Sequence, residues 1–302
     1  MVRMILLFTF ALVILVEGGQ PLQELPVNEL SAKQLSVNGT TIRYWEQGNG
    51  VPVVFVHGAI SDHRYWEPQR KAVAKRYRFI ALDRRYFGTA PWPDGGSRHS
   101  QATHVADLAA FIRELKIGPA FLVGTSGGAQ VSLVMAVQHP ELVRGLFVNE
   151  PGMESIVTDP GVRKVVNEFR TDARRAAARA AARAGNMAEA AKLFADFANG
   201  RTGVYDALPP ARKAMLLDNA RTLTLDAPPT EPITCEQLGQ LRIAVTITKG
   251  QLTKLPSKIL AETAHRCISG SQLITIPAAM HGAPWQNASA FNDALLRFLA
   301  RN

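Results

Sequence analysis

Gly124-Thr125-Ser126-Gly127-Gly128 sets a serine between glycines, directly behind the apolar run Ala120 to Val123 and ahead of a helical pattern over Ala129 to Gln138. A strand that turns straight into a helix at a serine strains that residue's backbone and holds its hydroxyl clear of the sheet; the glycines remove the side chains that would collide. Such a serine is either a nucleophile or the filler of a turn. A hydroxyl at its own pKa attacks poorly, so the nucleophilic reading requires a base. Of the seven histidines, His281 in Met280-His281-Gly282-Ala283-Pro284 stands between the last strand-like run and the last helical pattern. A loop there emerges on the same sheet edge as Ser126. His57 follows Val53 to Val56 and precedes Gly58, and reads as a packed ring at a tight turn. The amides of Gly127, at a helix start, and of Ala59, behind that turn, are the expected donors to a developing oxyanion.

Elements that would place these residues are legible from periodicity. Gln34 to Val37 and Thr41 to Trp45 flank Asn38-Gly39, the signature of a β-hairpin with a two-residue turn. Val51 to Val56, Arg78 to Leu82, Ala120 to Val123, Gly145 to Val148, Ile243 to Thr248 and Leu273 to Ile276 are short apolar runs, as in strands covered on both faces. Helical patterns alternate with them at His104 to Leu115, Ala129 to Gln138 and Leu255 to Arg266, and Ser289 is the expected N-cap of a last helix carrying Phe291, Leu295 and Phe298. The fold class is therefore α/β, a mostly parallel eight-stranded sheet with helices on both faces. One interval breaks the alternation: 152–232 contains no strand-like run, only Ala-, Arg- and Leu-rich helical sequence, and reads as a cap inserted into a core formed by 34–151 and 233–302. Within it Arg175, Arg179 and Arg183 share a face, with Ala177, Ala181 and Ala184 opposite. Twelve basic against ten acidic residues across the insertion make that stripe a solvated face.

His57-Gly58-Ala59 with Trp66 nine positions on, Asp83-Arg84-Arg85-Tyr86-Phe87-Gly88, the Ser126 motif and His281-Gly282-Ala283-Pro284 together resemble the α/β-hydrolase fold superfamily over about residues 34 to 301. The resemblance implies a cofactor-independent serine hydrolase acting on a small-molecule ester or lactone, with no metal. The same fold hosts C–C bond hydrolysis, acyl transfer, cofactor-free perhydrolase chemistry and non-catalytic ligand binding, and the motifs do not separate these. In most members an aspartate follows the strand after the cap, but here that loop, Lys249 to Lys258, holds no carboxylate and Thr253 stands about where it is expected. Glu150, ending the strand before the cap, occupies the acid position of one branch of the haloalkane dehalogenases and is the expected partner of His281. Dehalogenation itself needs an aspartate where this chain has Ser126. Trp66, Trp92 and Trp285 are expected at an apolar pocket or in the core, Lys249 and Lys254 as flexible surface lysines, and Asp83 and Arg84 as loop-fixing structure.

Composition bounds the rest. A chain of 302 residues, 47% hydrophobic and 20% charged, is long enough for one large domain with a subdomain and is not disordered. The net charge of +9 is concentrated in Asp62 to Arg98, with nine Lys or Arg against four acids, and lacks the interleaved aromatics of a nucleic-acid groove. Arg3, the apolar run Met4 to Val16 and Glu17-Gly18-Gly19-Gln20-Pro21 read as a leader over 1–18 followed by a linker over 19–33. Export is the expectation: periplasmic or extracellular if the leader is cut, membrane-anchored if it is kept, and cytoplasmic if the start codon is misplaced. Cys235 and Cys267 read as two small buried thiols, able to pair in an oxidising compartment.

Overall fold

The computed structural model describes residues 31–226 and 232–302; the expected leader, the linker up to residue 30 and the end of the insertion at 227–231 lie outside the described residues. Eight strands form one sheet: β1 (Lys33–Val37), β2 (Thr40–Gln47), β3 (Pro52–Val56), β4 (Arg78–Leu82), β5 (Ala120–Thr125), β6 (Val143–Asn149), β7 (Ala244–Gly250) and β8 (Gln272–Ile276). Their spatial order is β1-β2-β4-β3-β5-β6-β7-β8. The β1–β2 and β2–β4 pairs are antiparallel and all others parallel. Asn38 and Gly39 turn the first hairpin with φ of 46° and 71°, the left-handed pair that a tight hairpin turn needs.

Among the described residues eleven α-helices accompany the strands: α1 (Glu67–Ala74), α2 (Gln101–Glu114), α3 (Gly127–Gln138), α4 (Pro160–Arg170), α5 (Ala173–Arg183), α6 (Met187–Asn199), α7 (Pro210–Asn219), α8 (Cys235–Gly239), α9 (Leu255–Cys267), α10 (Ala283–Gln286) and α11 (Ala288–Arg301). Successive strand residues point to opposite faces, so the core divides in two. Val54, Val56, Ile80 and Leu122 pack under α2, α3 and α9, while Val53, Phe55, Phe79, Phe121 and Phe147 pack with α11 and the insertion. Asn287, not Ser289, caps α11, its side chain accepting from the Ala290 amide at 3.1 Å. Ser289 already lies in the first turn.

The insertion runs from β6 through α4–α7 and returns through α8 to β7. Helices α5 and α6 pack through Ala178, Ala182, Ala190 and Ala191, all buried, small side chains that let two helix backbones approach closely. The apolar stripe expected at Ala177, Ala181 and Ala184 is thus displaced by one position: Ala177 and Ala184 are exposed, and Ala178 and Ala182 are covered. Arg179 and Arg183 both reach Asp226, at 2.5 and 3.1 Å. Polar ties hold the insertion to the core: Arg64 meets Asp218 at 2.8 Å, and Asn219 donates to Asp62 at 2.6 Å while accepting from the Gly88 amide at 2.7 Å. The two cysteines do not remain thiols as expected: α8 opens and α9 ends on a Cys235–Cys267 disulfide. No helix among the described residues is long and apolar enough to cross a membrane.

Candidate active site

Ser126 sits between β5 and α3 with φ 52° and ψ −120°, a conformation that costs a non-glycine residue about 1–3 kcal/mol. The strain is held by hydrogen bonds on both sides: the Ser126 amide donates to the Asn149 carbonyl at 2.9 Å, and its own carbonyl accepts from the Gln130 amide at 3.0 Å. The flanking glycines are steric necessities. A Cβ on Gly124 would lie 2.7 Å from the Ala129 Cα, and one on Gly128 would run into the Val56 and His57 carbonyls. These contacts lock the elbow to the end of β3, where Gly58 leaves room for Ser126; a Cβ on Gly58 would stand 3.2 Å from the serine Cβ.

Parallel register brings the acid level with the serine. Thr125 pairs with Asn149 and Asn149 with Thr248, so Ser126 and Glu150 are the next residues off adjacent strand ends. Glu150 is buried, at 2% exposure, and also takes a left-handed backbone, φ 44°. Its Oε2 lies 2.6 Å from His281 Nδ1 and 2.8 Å from the Thr253 hydroxyl, which donates to it; Oε1 accepts from the Gly250 amide at 2.8 Å. Burial pushes the Glu150 carboxyl up, but His281 with the Gly250 and Thr253 donors outweighs it and holds the group below the usual glutamate range. A proton on His281 Nδ1 pointed at this carboxylate leaves Nε2 as the free basic nitrogen.

Ser126 and His281 line one cavity of about 120 Å³ under the insertion, together with Ala59 from the β3 loop. No direct hydrogen bond joins the serine hydroxyl to the imidazole, although both side chains line the same cavity. Gly127 is the first residue of α3, where an amide has no partner within the helix, and Ala59 is solvent-exposed at the cavity wall. The walls are otherwise mostly apolar, with Phe194, Phe197, Leu208 and Leu216 supplied by the insertion.

Of Trp66, Trp92 and Trp285, only Trp285 lines the cavity, its ring N–H donating to the Tyr65 carbonyl. Trp66 is fully buried against Phe55, ring centres 5.2 Å apart, and Trp92 packs under Arg221 with its N–H on the Tyr86 carbonyl at 2.8 Å. The lysines are not flexible either. Lys249 pairs with Glu262 at 2.6 Å, and Lys254 donates to the Phe197 carbonyl at 2.5 Å, where burial pushes its pKa down to about 7. His57 is the packed ring expected of it: Nδ1 lies 2.9 Å from the Gly58 carbonyl, Nε2 accepts from the Arg84 amide at 3.0 Å, and burial holds the ring neutral. Asp83 and Arg84 fix loops, Asp83 by accepting from the His63 amide at 2.9 Å and Arg84 by donating to the Gly58 carbonyl at 2.8 Å. Asp62, His63 and Asp83 cluster with ligand-like spacing, but both acids are engaged by arginines, Arg64 and Arg43.

Asn149 escaped the sequence reading. Fully buried, it donates to the Thr125 hydroxyl at 3.3 Å and the His281 carbonyl at 3.1 Å, and accepts from Thr248 at 3.0 Å. It fixes the His281 loop against the strand ends. Its signal was an amide directly behind the apolar run Gly145 to Val148.

A family model described as the alpha/beta hydrolase fold matches residues 51–214. Among curated proteins, the 2-(acetamidomethylene)succinate hydrolase of Mesorhizobium japonicum is 27% identical over 256 residues, covering 83% of this chain and 88% of that one. Among solved structures, a carboxylesterase of Bacillus subtilis superposes with a TM-score of 0.71 at 19% identity, covering 91% of this chain and 93% of that one. A thermophilic esterase of Thermogutta terrifontis superposes with a TM-score of 0.66 at 21% identity, over 90% and 98% of the two chains.

Proposed function

Because this chain belongs to the α/β-hydrolase fold family and is accordingly an enzyme, we propose that it is a serine hydrolase that cleaves a small carboxylic ester or lactone through an acyl-enzyme on Ser126. The observation that carries this reading is the 2.6 Å contact between His281 and the buried Glu150, beside a strained serine on the same cavity wall. His281 Nε2 takes the Ser126 proton as the hydroxyl oxygen attacks the carbonyl carbon, and Glu150 stabilises the imidazolium that forms. The amides of Ala59 and Gly127 receive the oxyanion. On collapse, His281 returns the proton to the leaving alkoxide; water, deprotonated by the same nitrogen, then releases the acid and frees the serine. No step calls for a cofactor.

The small, mostly apolar cavity supports a small substrate, and the relatives' names support hydrolysis. In this reading the 152–232 insertion is the cap that sets substrate shape. We take the chain to be exported, a placement that the leader-like start and the Cys235–Cys267 bond support.

The test is labelling and turnover of the purified protein. A fluorophosphonate should modify Ser126 and nothing else, and Ser126→Ala should lose at least about 10⁴-fold in kcat on short-chain p-nitrophenyl esters. Full turnover by Ser126→Ala, or labelling at another residue, would sink the proposal.

A further inference from the structure

The cavity wall carries a cation that the proton relay does not use. Arg212, in the first turn of α7, lines the same cavity as Ser126 and His281. Its guanidinium lies 4.2 Å from the centre of the Tyr65 ring and 5.1 Å from that of Trp285, with Nη1 3.3 Å from the Met215 sulfur. No carboxylate pairs with it among the described residues. Other arginines on or against the insertion have oxygen partners, Arg64 on Asp218, Arg179 on Asp226 and Arg221 on the Gly88 and Ala90 carbonyls. No aspartate or glutamate lines the cavity at all. Burial pushes Arg212 down to about 10, with Tyr65 and the Asp62 charge only partly offsetting it, which leaves it charged at neutral pH.

A guanidinium largely shielded from water with no carboxylate in contact is costly, and part of the cost is recovered when an anion arrives. The planar fork is shaped for two parallel hydrogen bonds to a carboxylate. We propose that Arg212 determines specificity by binding a carboxylate that the substrate carries in addition to its scissile ester. The inference rests on the serine-hydrolase reading above and names its substrate class: a short ester bearing a free carboxylate, with an apolar spacer lying along the Phe194, Leu208 and Leu216 walls. The Tyr65 and Trp285 rings hold the guanidinium over the cavity, so the charge is aimed before the substrate enters.

The experiment compares initial rates by proton release for monomethyl glutarate, charged on the acyl side, against dimethyl glutarate, and for acetoxyacetate, charged on the alcohol side, against ethyl acetate. At least one charged ester should exceed its neutral partner in kcat/KM by about tenfold or more. Which one does so tells the side on which the carboxylate sits. In Arg212→Met the charged-to-neutral ratio should fall at least about tenfold, chiefly through KM, and Arg212→Lys should restore part of it. Ratios are read within one preparation, so a partly folded variant still reports. As a readout independent of turnover, glutarate should raise the melting temperature of Ser126→Ala, and the added Arg212→Met change should remove that rise. Equal use of charged and neutral esters by the native chain, or a ratio untouched by Arg212→Met, overturns the assignment while leaving the serine mechanism standing. Loss of fluorophosphonate labelling at Ser126 would instead strike the mechanism, and the glutarate shift would still decide the role of Arg212.

Discussion

In the proposed mechanism Glu150 is the residue on which the chemistry turns, because three donors converge on its carboxylate and one of them is the imidazole. Glu150→Gln keeps the shape but removes the charge and offers an amide hydrogen to the ring; kcat should fall by about 10³–10⁴-fold while Ser126 stays in place. Thr253→Ala removes a single donor from the same oxygen and should cost about tenfold or less, so measuring both variants on one ester separates the acid from its support. The lowered Glu150 pKa also fixes a sign for acid stability. Its contribution is fully present above the ordinary glutamate value of about 4.3 and is lost as pH falls through the lower folded value. Urea midpoints taken from pH 6 down to pH 3 should therefore fall more steeply for the native chain than for Glu150→Gln. At this scale the meeting of Ser126, His281 and Glu150 was legible, the first two from local motifs and Glu150 from the resemblance together with the missing carboxylate in the 249–258 loop. Arg212 was hidden, since an arginine in a helical insertion looks solvated until the fold places it on a cavity wall with no carboxylate in contact.

The elbow depends on elements rather than on single groups. Strand β5, the turn and α3 close against the end of β3 only because Gly128 has no side chain to meet the Val56 and His57 carbonyls. Gly128→Ala should destabilise the fold by about 3 kcal/mol or more by overpacking a backbone contact that cannot give, to be checked by urea unfolding. The strands were legible almost to the residue, since a buried parallel strand is a short unbroken apolar run bounded by polar residues. The insertion's inner face was less so. In an alanine-rich helix every side is weakly apolar, so the choice between the 177/181/184 and 178/182 stripes was settled by packing against α6, which the sequence of α5 does not encode. The same holds for the α11 cap, where Asn287 and Ser289 are both good capping types and backbone geometry decides.

For the molecule as a whole, the Cys235–Cys267 bond closes a 32-residue separation that contains β7 and α9. Loop-closure entropy for such a span amounts to about 3–4 kcal/mol. Changing both cysteines to serine should lower the melting temperature by roughly 5–12 °C, while a reductant should do the same to the native chain and nothing further to the variant. Two cysteines far apart in sequence give no pairing geometry; only the meeting of α8 with the end of α9 does.

Glu150 precedes the insertion rather than following it, so in the proposed mechanism the nucleophile, its acid and the oxyanion loop all arise from one unbroken stretch, residues 57–150, with His281 alone arriving from beyond. On that proposal, the share of selectivity that the segment after Pro151 carries is severable from reactivity. A recombinant chain that borrows a foreign helical cassette between Pro151 and Pro232 would inherit new tastes without re-tuning its proton relay.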